Sequence, residues 1–302
     1  MYAIALPSEP KEAVSEAASE AAVPAASVPS HLRAQGRLFL EAHALGDRTV
    51  RGRVEESGPS RVRFPSSGRR GRSLEAVLLN TGGGIAGGDS SETRIHAEPN
   101  AHLVVTTQAA EKIYRSDGAT SLISVDLNVG DGATLDWMPQ ATILFEGARV
   151  ERSITANIAP DARLLLIEPV ILGRTACGER MSYGQLFDRW RIRRGGRLIY
   201  ADGLHLDGDI AETLDRRAVA GGYAALATIL LVALDAEGRL EAVREALWLP
   251  DDLPEYLEAG ASAWDGMLSV RLLARDNAVL EAAIRRIISS LGVVDPPRIW
   301  HS

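Results

Sequence analysis

The chain of 302 residues carries 40 acidic and 33 basic side chains, a formal net charge of −7, and one cysteine, Cys177. The acidic surplus argues against a nucleic-acid-binding protein, because such proteins neutralise phosphates with Lys and Arg. One cysteine excludes an internal disulfide framework and a Cys-based zinc cluster, and it suits a reducing compartment. No apolar run approaches the ~18 residues that a membrane-spanning helix needs. These features predict a cytoplasmic protein.

The first 30 residues differ in composition from the rest of the chain. They are rich in Ala, Glu, Ser and Pro, and their short apolar start lacks the basic residues of a secretory signal. Such low-complexity composition predicts a disordered tail over residues 1–30. No linker interrupts the chain after that point, so residues 31–302 are predicted to form a single, mainly β domain with a few peripheral helices.

The region from residue 31 to about residue 206 reads as a succession of strands. Short segments rich in Leu, Ile, Val and Thr are separated by clusters of Gly, Asp, Asn and Pro, which is typical of an all-β layer. Segment 121–129 alternates polar and apolar residues, the pattern of a half-buried strand. The predicted strands are 37–44, 74–79, 93–97, 103–107, 122–129, 134–138, 164–167 and 186–192.

The last third adds helices. The apolar run 223–234 is predicted as a buried strand, and 239–247 has the composition and spacing of a helix. Segment 277–291 predicts the clearest helix, with Asp276 or Asn277 as its N-cap and Gly292 as its C-cap. The plainest account of the ending at 296–300 is a strand that docks on its own sheet.

A glycine-rich loop, LLNTGGGIAGGD, occupies residues 78–89. Its glycine spacing fits both a dinucleotide fingerprint and the start of a phosphate loop. Both of these sites need a helix after the loop, whose amides face the phosphate, whereas a β-like segment follows here. Asp89 also stands where a phosphate loop has Lys. The loop is therefore predicted to be a structural turn between two β layers.

Three further segments follow the loop in order. They read TTQAAEKIYRS at residues 106–116, LDWMPQATILFEGAR at 135–149 and EPVILGRTACGE at 168–179, and the chain closes with PRIW at 297–300. In this order and spacing the sequence resembles the UreD family of urease accessory proteins, called UreH in some bacteria. The resemblance runs from about residue 33 to the C-terminus and leaves only the tail uncovered.

The resemblance implies a fold, a function and partners. It implies two stacked β-sheets in a superhelical arrangement with a few helices. Family members are not enzymes: they bind apo-urease and UreF, which recruits the GTPase UreG, and the assembly delivers Ni²⁺ to urease. No cofactor is permanently bound, and Ni²⁺ is held transiently. An internal tunnel lined by polar and acidic residues is the nickel path proposed for the family.

Carboxylates inside the β motifs are the candidate nickel ligands, because a metal in transit needs oxygen or nitrogen ligands that release it. Each could instead be a structural acid that accepts hydrogen bonds from turn amides. The candidate nickel path consists of Asp89, Asp136, Glu146, Glu168 and Glu179. The candidate tunnel or interface residues are Gln108, Lys112, Gln140, Arg174 and Trp300.

One departure from the family pattern, one group of possible ligands and two alternative functions complete the sequence analysis. Ala141 stands where the family often has Glu, which weakens the case for metal ligation by segment 137–140 itself. His205, Asp207 and Asp209 would share one face of a strand, but ordinary surface alternation explains them. The alternatives to a scaffold are a β-sandwich enzyme that uses the glycine loop and Asp89, and an interaction module that binds no metal.

Overall fold

The computed structural model describes residues 33–65, 71–174, 177–247, 257–293 and 296–300. The tail predicted at 1–30 lies outside these residues, and the single-domain limits of 31–302 stay a prediction. The strands are β1 (Gln35–Leu45), β2 (Arg48–Ser57), β3 (Ser60–Arg63), β4 (Leu74–Asn80), β5 (Ser90–Ala97), β6 (His102–Thr107), β7 (Glu111–Ile113), β8 (Ser121–Val129), β9 (Thr134–Trp137), β10 (Thr142–Leu144), β11 (Arg149–Ile158), β12 (Arg163–Leu172), β13 (Tyr183–Arg194), β14 (Arg197–Asp209), β15 (Ala225–Val232), β16 (Leu257–Trp264) and β17 (Met267–Ala274). The helices are α1 (Ile210–Asp215), α2 (Leu240–Leu247) and α3 (Asn277–Ser290).

The strands form two stacked sheets. Sheet A has the order β14-β13-β11-β8-β5-β1-β2, and sheet B has the order β16-β17-β15-β12-β9-β6-β4-β3, with β10 and β7 attached beside β12. The chain passes from sheet B to sheet A and back, so β4, β6, β9 and β12 lie parallel in one layer and β5, β8, β11 and β13 lie parallel in the other. This solenoid-like arrangement of stacked sheets with few helices confirms the predicted fold class.

Parallel register builds the core between the sheets. Alternate residues of a strand point to opposite faces, and the register places inward residues of successive coils beside one another. In sheet A, Ile95, Leu127, Ala156 and Ile192 form one such row, and all four are buried. The sequence shows no obvious repeat, because the coils share only the apolar character of these positions.

Helices α2 and α3 cover the outer face of sheet B. The Asp276 side chain accepts a hydrogen bond from the amide of Val279 at 3.0 Å, and Gly292 follows the helix with a φ of 64°. The N-cap Asp276 is thus confirmed, whereas the helix ends at Ser290 with Leu291 as its C-cap, one residue before the predicted C-cap Gly292. Apolar side chains of both helices join sheet B in an outer core: Val243, Leu247, Leu280, Ile284 and Ile288.

The ending at 296–300 differs from its expected form. It is a short 3₁₀ turn at Arg298–Trp300, so the strand expected there is wrong. Pro296 and Pro297 have no backbone N–H to donate to a sheet, and the amide of Trp300 donates to the carbonyl of Pro297 at 2.8 Å. The Trp300 indole instead packs into the outer core, 4% exposed, and its Nε1 donates to the carbonyl oxygen of Met138 at 3.0 Å.

Strands β11, β16 and β17 are not among the strands predicted from the sequence. The inward positions of β11 are apolar except for Arg152. No helix in the described part of the chain is long and apolar enough to span a bilayer.

Candidate functional site

The glycine loop crosses from the end of β4 in sheet B to the start of β5 in sheet A. The amide of Ile85 donates a hydrogen bond to the carbonyl of Lys112 at 2.7 Å, which holds the loop against β7. Gly84 has a φ of 151°, and a Cβ there would lie 2.5 Å from Cε2 of Tyr114 and 2.8 Å from the Lys112 carbonyl oxygen. Since a strand follows the loop, the predicted structural turn between two β layers is confirmed.

Asp89 fastens the end of this loop. Its Oδ1 accepts a hydrogen bond from the amide of Ala34 at 2.8 Å, and its Oδ2 accepts one from the amide of Ala86, also at 2.8 Å. These two bonds tie the loop to the segment that precedes β1. Asp89 is also one of the residues that line a cavity between the sheets.

The cavity has a volume of about 260 Å³ and runs from the surface into the interior. Its outer wall contains Gln108 and Lys112, which are exposed, and its inner end contains Trp137, Arg152 and Glu168, each 5% exposed. Of the ten residues singled out from the sequence, the structure brings five to this cavity: Asp89, Gln108, Lys112, Gln140 and Glu168.

An arginine with two carboxylates forms the inner end. Arg152 on β11 donates from Nη1 to Oε2 of Glu168 on β12 at 2.6 Å. It also donates from Nη2 to Oδ2 of Asp188 on β13 at 2.6 Å, and from Nε to Oδ1 at 3.1 Å. The Trp137 indole donates from Nε1 to Oε1 of Glu168 at 2.6 Å. Glu168 is therefore held by two donors from opposite layers.

Burial and charge set the protonation of this group. Burial by itself would lower the pKa of Arg152, but the Asp188 and Glu168 carboxylates raise it above its usual value, so the guanidinium stays charged. Burial raises the pKa of Glu168 despite the Arg152 charge and the Trp137 hydrogen bond, and the Asp188 charge raises it further. One cation thus faces two carboxylates, and Glu168 is the carboxylate that a proton or a further cation can neutralise.

The position of this group follows from the strand pattern. On each of three strands an inward-facing charged residue lies between two buried apolar residues, and the parallel register sets the charged positions of β11 and β13 side by side. The three sequences, in inward-facing order, are Val150–Arg152–Ile154, Leu166–Glu168–Val170 and Leu186–Asp188–Trp190. A polar layer therefore separates two apolar clusters of the interior.

Glu111 is a second acid on the cavity wall. The side-chain amide of Asn80 donates to Oε1 of Glu111 at 3.0 Å and to Oε2 at 3.2 Å. Burial nevertheless raises the pKa of Glu111. The backbone amide of Gln140 donates to Oγ1 of Thr107 at 2.9 Å, while the buried Nε2 of Gln140 has no hydrogen-bond partner among the described residues.

Asp136 lies on the other face of sheet B from Glu168. Its strand neighbours Val104 and Leu165 belong to the outer core, whereas the adjacent Trp137 faces the cavity. Asp136 forms an ion pair with Arg163, and its Oδ2 lies 3.7 Å from Nε2 of His102. Burial alone would raise the pKa of Asp136, but Arg163 and His102 hold it below its usual value.

Glu146, Glu179 and Arg174 form a separate group at the surface. Oε2 of Glu146 accepts hydrogen bonds from the amides of Ser182 and Tyr183, the latter at 3.4 Å. Glu179 forms an ion pair with Arg174, and its Oε1 accepts the amide of Glu146 at 3.3 Å. None of the three lines the cavity, and neither do Asp136 and Trp300. A role for these five residues in nickel passage or at an interface stays a prediction.

Arg152, Asp188 and Glu111 were not singled out from the sequence. The sequence signal for Arg152 is an arginine at an inward position of the strand, between the apolar Val150 and Ile154. Nothing local in the sequence connects it to Glu168 and Asp188, which the solenoid brings beside it from other coils.

These features define a class: a two-sheet β-solenoid whose interior holds an acidic cavity that reaches the surface. A family model described as UreD urease accessory protein matches residues 34–301. The chain belongs to this family, as its sequence motifs indicated.

Named relatives agree with the family model. The chain is 48% identical over 286 residues to urease accessory protein UreD 3 of Methylorubrum extorquens strain PA1, covering 93% of this chain and 95% of that protein. It is 45% identical over 280 residues to urease accessory protein UreD of Methylobacterium sp. strain 4-46, covering 92% and 99%. The UreD protein of Rhodopseudomonas palustris strain BisB18 is 46% identical over 279 residues.

Proposed function

We propose that this chain is a non-catalytic accessory protein of urease maturation that acts in the cytoplasm. It binds apo-urease and UreF, works with UreG through UreF, and passes Ni²⁺ towards the urease active site. Its membership of a family of urease accessory proteins supports this proposal.

The cavity that ends at Glu168 is the observation that carries the nickel path. Carboxylate and amide oxygens line it, and Ni²⁺ accepts oxygen and nitrogen ligands. Asp89, Glu111 and Glu168 supply carboxylates, and Gln108 and Gln140 supply amides. Nickel is cargo here, not a resident cofactor.

The charge balance of the inner end favours passage over storage. A cation that reaches Glu168 must share this carboxylate with the Arg152 guanidinium, which repels it. The second carboxylate, Asp188, leaves enough negative charge to admit the cation in spite of Arg152. Attraction and repulsion thus oppose each other at one site, which keeps affinity low and release fast.

Two conservative variants test this path. Glu168→Gln keeps the shape of the side chain and removes the cavity carboxylate, and Asp136→Asn makes the matched change on the other face of the sheet. In cells that co-express urease, UreF and UreG, Glu168→Gln is expected to lower urease activation about tenfold or more. Asp136 is outside the cavity, so Asp136→Asn is expected to leave activation, measured per amount of soluble accessory protein, within about twofold of wild type. A loss of about tenfold would instead support the sequence-based placement of Asp136 on the nickel path.

Co-purification completes this test. Both variants are expected to retain UreF, which shows that the assembly has formed. Full activation by Glu168→Gln, with UreF retained, would contradict the nickel path and leave an interaction module that binds no metal. Micromolar binding of ATP or NAD by the isolated chain, lost in Gly84→Val, would favour the enzyme alternative.

A further inference from the structure

A group of histidines and carboxylates lies on the outer face of sheet A, away from the cavity. Glu41 on β1 is opposite His96 on β5 in the parallel register, and Glu98 follows β5 directly. One ligand atom from each of Glu41, His96 and Glu98 lies within 4.8 Å of the others. Among the described residues this is the one set of three or more such side chains that meets this spacing.

A fourth candidate ligand lies beside the first three. Nε2 of His43 is 2.7 Å from Oε1 of Glu41, two residues earlier on the same strand face. The β1–β2 register shifts between Leu40 and Ala42, so Gly52 and Arg53 together lie opposite Glu41. A bulge of this kind changes the direction of a side chain.

Gly52 leaves the space in which these side chains meet. A Cβ at residue 52 would lie 2.5 Å from Cδ2 of His43 and 2.8 Å from Oε1 of Glu41. Any larger residue at 52 would therefore push both side chains out of their present positions. The absence of a side chain at this point is a condition for the cluster.

The cluster is separate from the interior cavity. Inward-facing neighbours on the same strands, among them Leu40, Ala42 and Ile95, are fully buried between the sheets. The cavity lies beyond them and approaches the opposite ends of these strands, at Ala34 and Ser90.

We propose that Glu41, His96 and Glu98, with His43 as a fourth ligand, bind one first-row divalent cation such as Ni²⁺ or Zn²⁺. Imidazole nitrogen and carboxylate oxygen are ligands that these ions accept. With metal–ligand bonds of ~2.0–2.2 Å, ligands on opposite sides of the ion are ~4 Å apart, so small side-chain rotations close the site. The ion joins β1 to the end of β5. This site goes beyond the proposed function and does not depend on it.

Titration calorimetry with NiCl₂ and with ZnCl₂ on the full-length chain at neutral pH tests the site. Glu41→Gln and His96→Ala are each expected to weaken one binding event at least about tenfold. His205→Ala is the matched control: His205 contacts Phe187 edge-on at 5.0 Å on the same sheet, as His96 contacts Phe39 at 4.9 Å. Binding unchanged in the first two variants, or weakened equally in the control, would overturn the proposal.

Two further variants keep the result interpretable. Gly52→Ala removes no ligand and displaces His43 and Glu41, so it is expected to weaken the same binding event. Glu168→Gln is expected to leave this event intact even if it abolishes urease activation, which separates a failure here from a failure of the proposed function. Loss of the binding event in Glu168→Gln alone would assign the metal to the cavity and overturn the surface site. X-ray absorption of the nickel-loaded chain is expected to show fewer imidazole ligands in His96→Ala.

Discussion

Glu168 and Asp136 are both buried carboxylates, 5% and 2% exposed, and each forms an ion pair with an arginine. They lie on β12 and β9, which are neighbours in one sheet, but on opposite faces of it. The pKa of Glu168 is raised, and that of Asp136 is lowered. Two acidic side chains with nearly the same burial therefore have pKa values shifted in opposite directions.

The difference follows from how many charges share each site. Asp136 is one acid beside two basic side chains, Arg163 and His102. Around Arg152 the ratio is reversed, because one guanidinium serves two acids. The charged form of Asp136 is therefore stabilised, and its ion pair with Arg163 links β9 to β12. Glu168, by contrast, retains negative charge that a proton or metal can neutralise.

Removal of the two arginines gives the largest expected difference between the sites. Arg152→Met leaves Glu168 and Asp188 without their cation in the interior, which is expected to cost about 3–5 kcal/mol of unfolding free energy. Arg163→Met is expected to cost about 1–3 kcal/mol, since Arg163 is 26% exposed and His102 remains beside Asp136. Urea unfolding measures both values. Equal losses would show that the two pairs are energetically alike and would refute the distinction.

The contributions of the two acids to the free energy of unfolding are expected to change with pH in opposite directions. Glu168 takes up its proton more readily when folded, so its contribution to stability is complete below its ordinary pKa of 4.5 and is lost as pH rises through the raised value. Asp136 contributes above its ordinary pKa of 3.8, and this contribution is lost as pH falls through the lowered value.

Unfolding free energies across an acid pH series measure this second prediction. Relative to wild type, Glu168→Gln is expected to become more stable as pH rises above 4.5. Asp136→Asn is expected to become less stable relative to wild type as pH rises towards 3.8 from below. The same sign of change in both variants would mean that the two carboxylates do not differ in the way described.

Substitutions in the glycine loop, which lines the cavity near Glu168 and not the Asp136 site, are expected to change stability least. Gly84→Ala places a Cβ against Tyr114 and the Lys112 carbonyl and is expected to cost about 1–3 kcal/mol. Gly83→Ala has open space around its Cβ and adds only the cost of a φ of 78°, about 1–2 kcal/mol. Thermal unfolding of the pair checks the difference. If Gly83→Ala is the more damaging change, the close approach at Gly84 is not what shapes the loop.

Much of the fold could be predicted from periodicity and turn residues. Strand β8 alternates along nearly its whole length, and α3 carries its own N-cap, Asp276. Strands β11, β16 and β17 were not predicted. The inward Arg152 of β11 is not by itself the reason, since segment 186–192 was predicted although Asp188 faces inward on β13.

The candidate site could be predicted only in part. Asp89 and Glu168 were identified as acids inside motifs, and both line the cavity. Asp136 was identified by the same reasoning and faces away, because adjacent residues of a strand point to opposite sides of a sheet. The pairing of Arg152 with Glu168 and Asp188 depends on which coils stack, and this is a long-range property that no local pattern records.

The hydrogen bond from Trp300 to the carbonyl of Met138 joins residues 162 apart in the chain. During synthesis, successive coils can stack as they leave the ribosome, but the outer layer over sheet B stays incomplete until the last residues emerge. A nascent chain therefore carries an uncovered apolar sheet face through most of its production. A chain that stopped before Trp300 would lack this indole in the outer core and the hydrogen bond to the Met138 carbonyl, although α2 and α3 would still pack on sheet B.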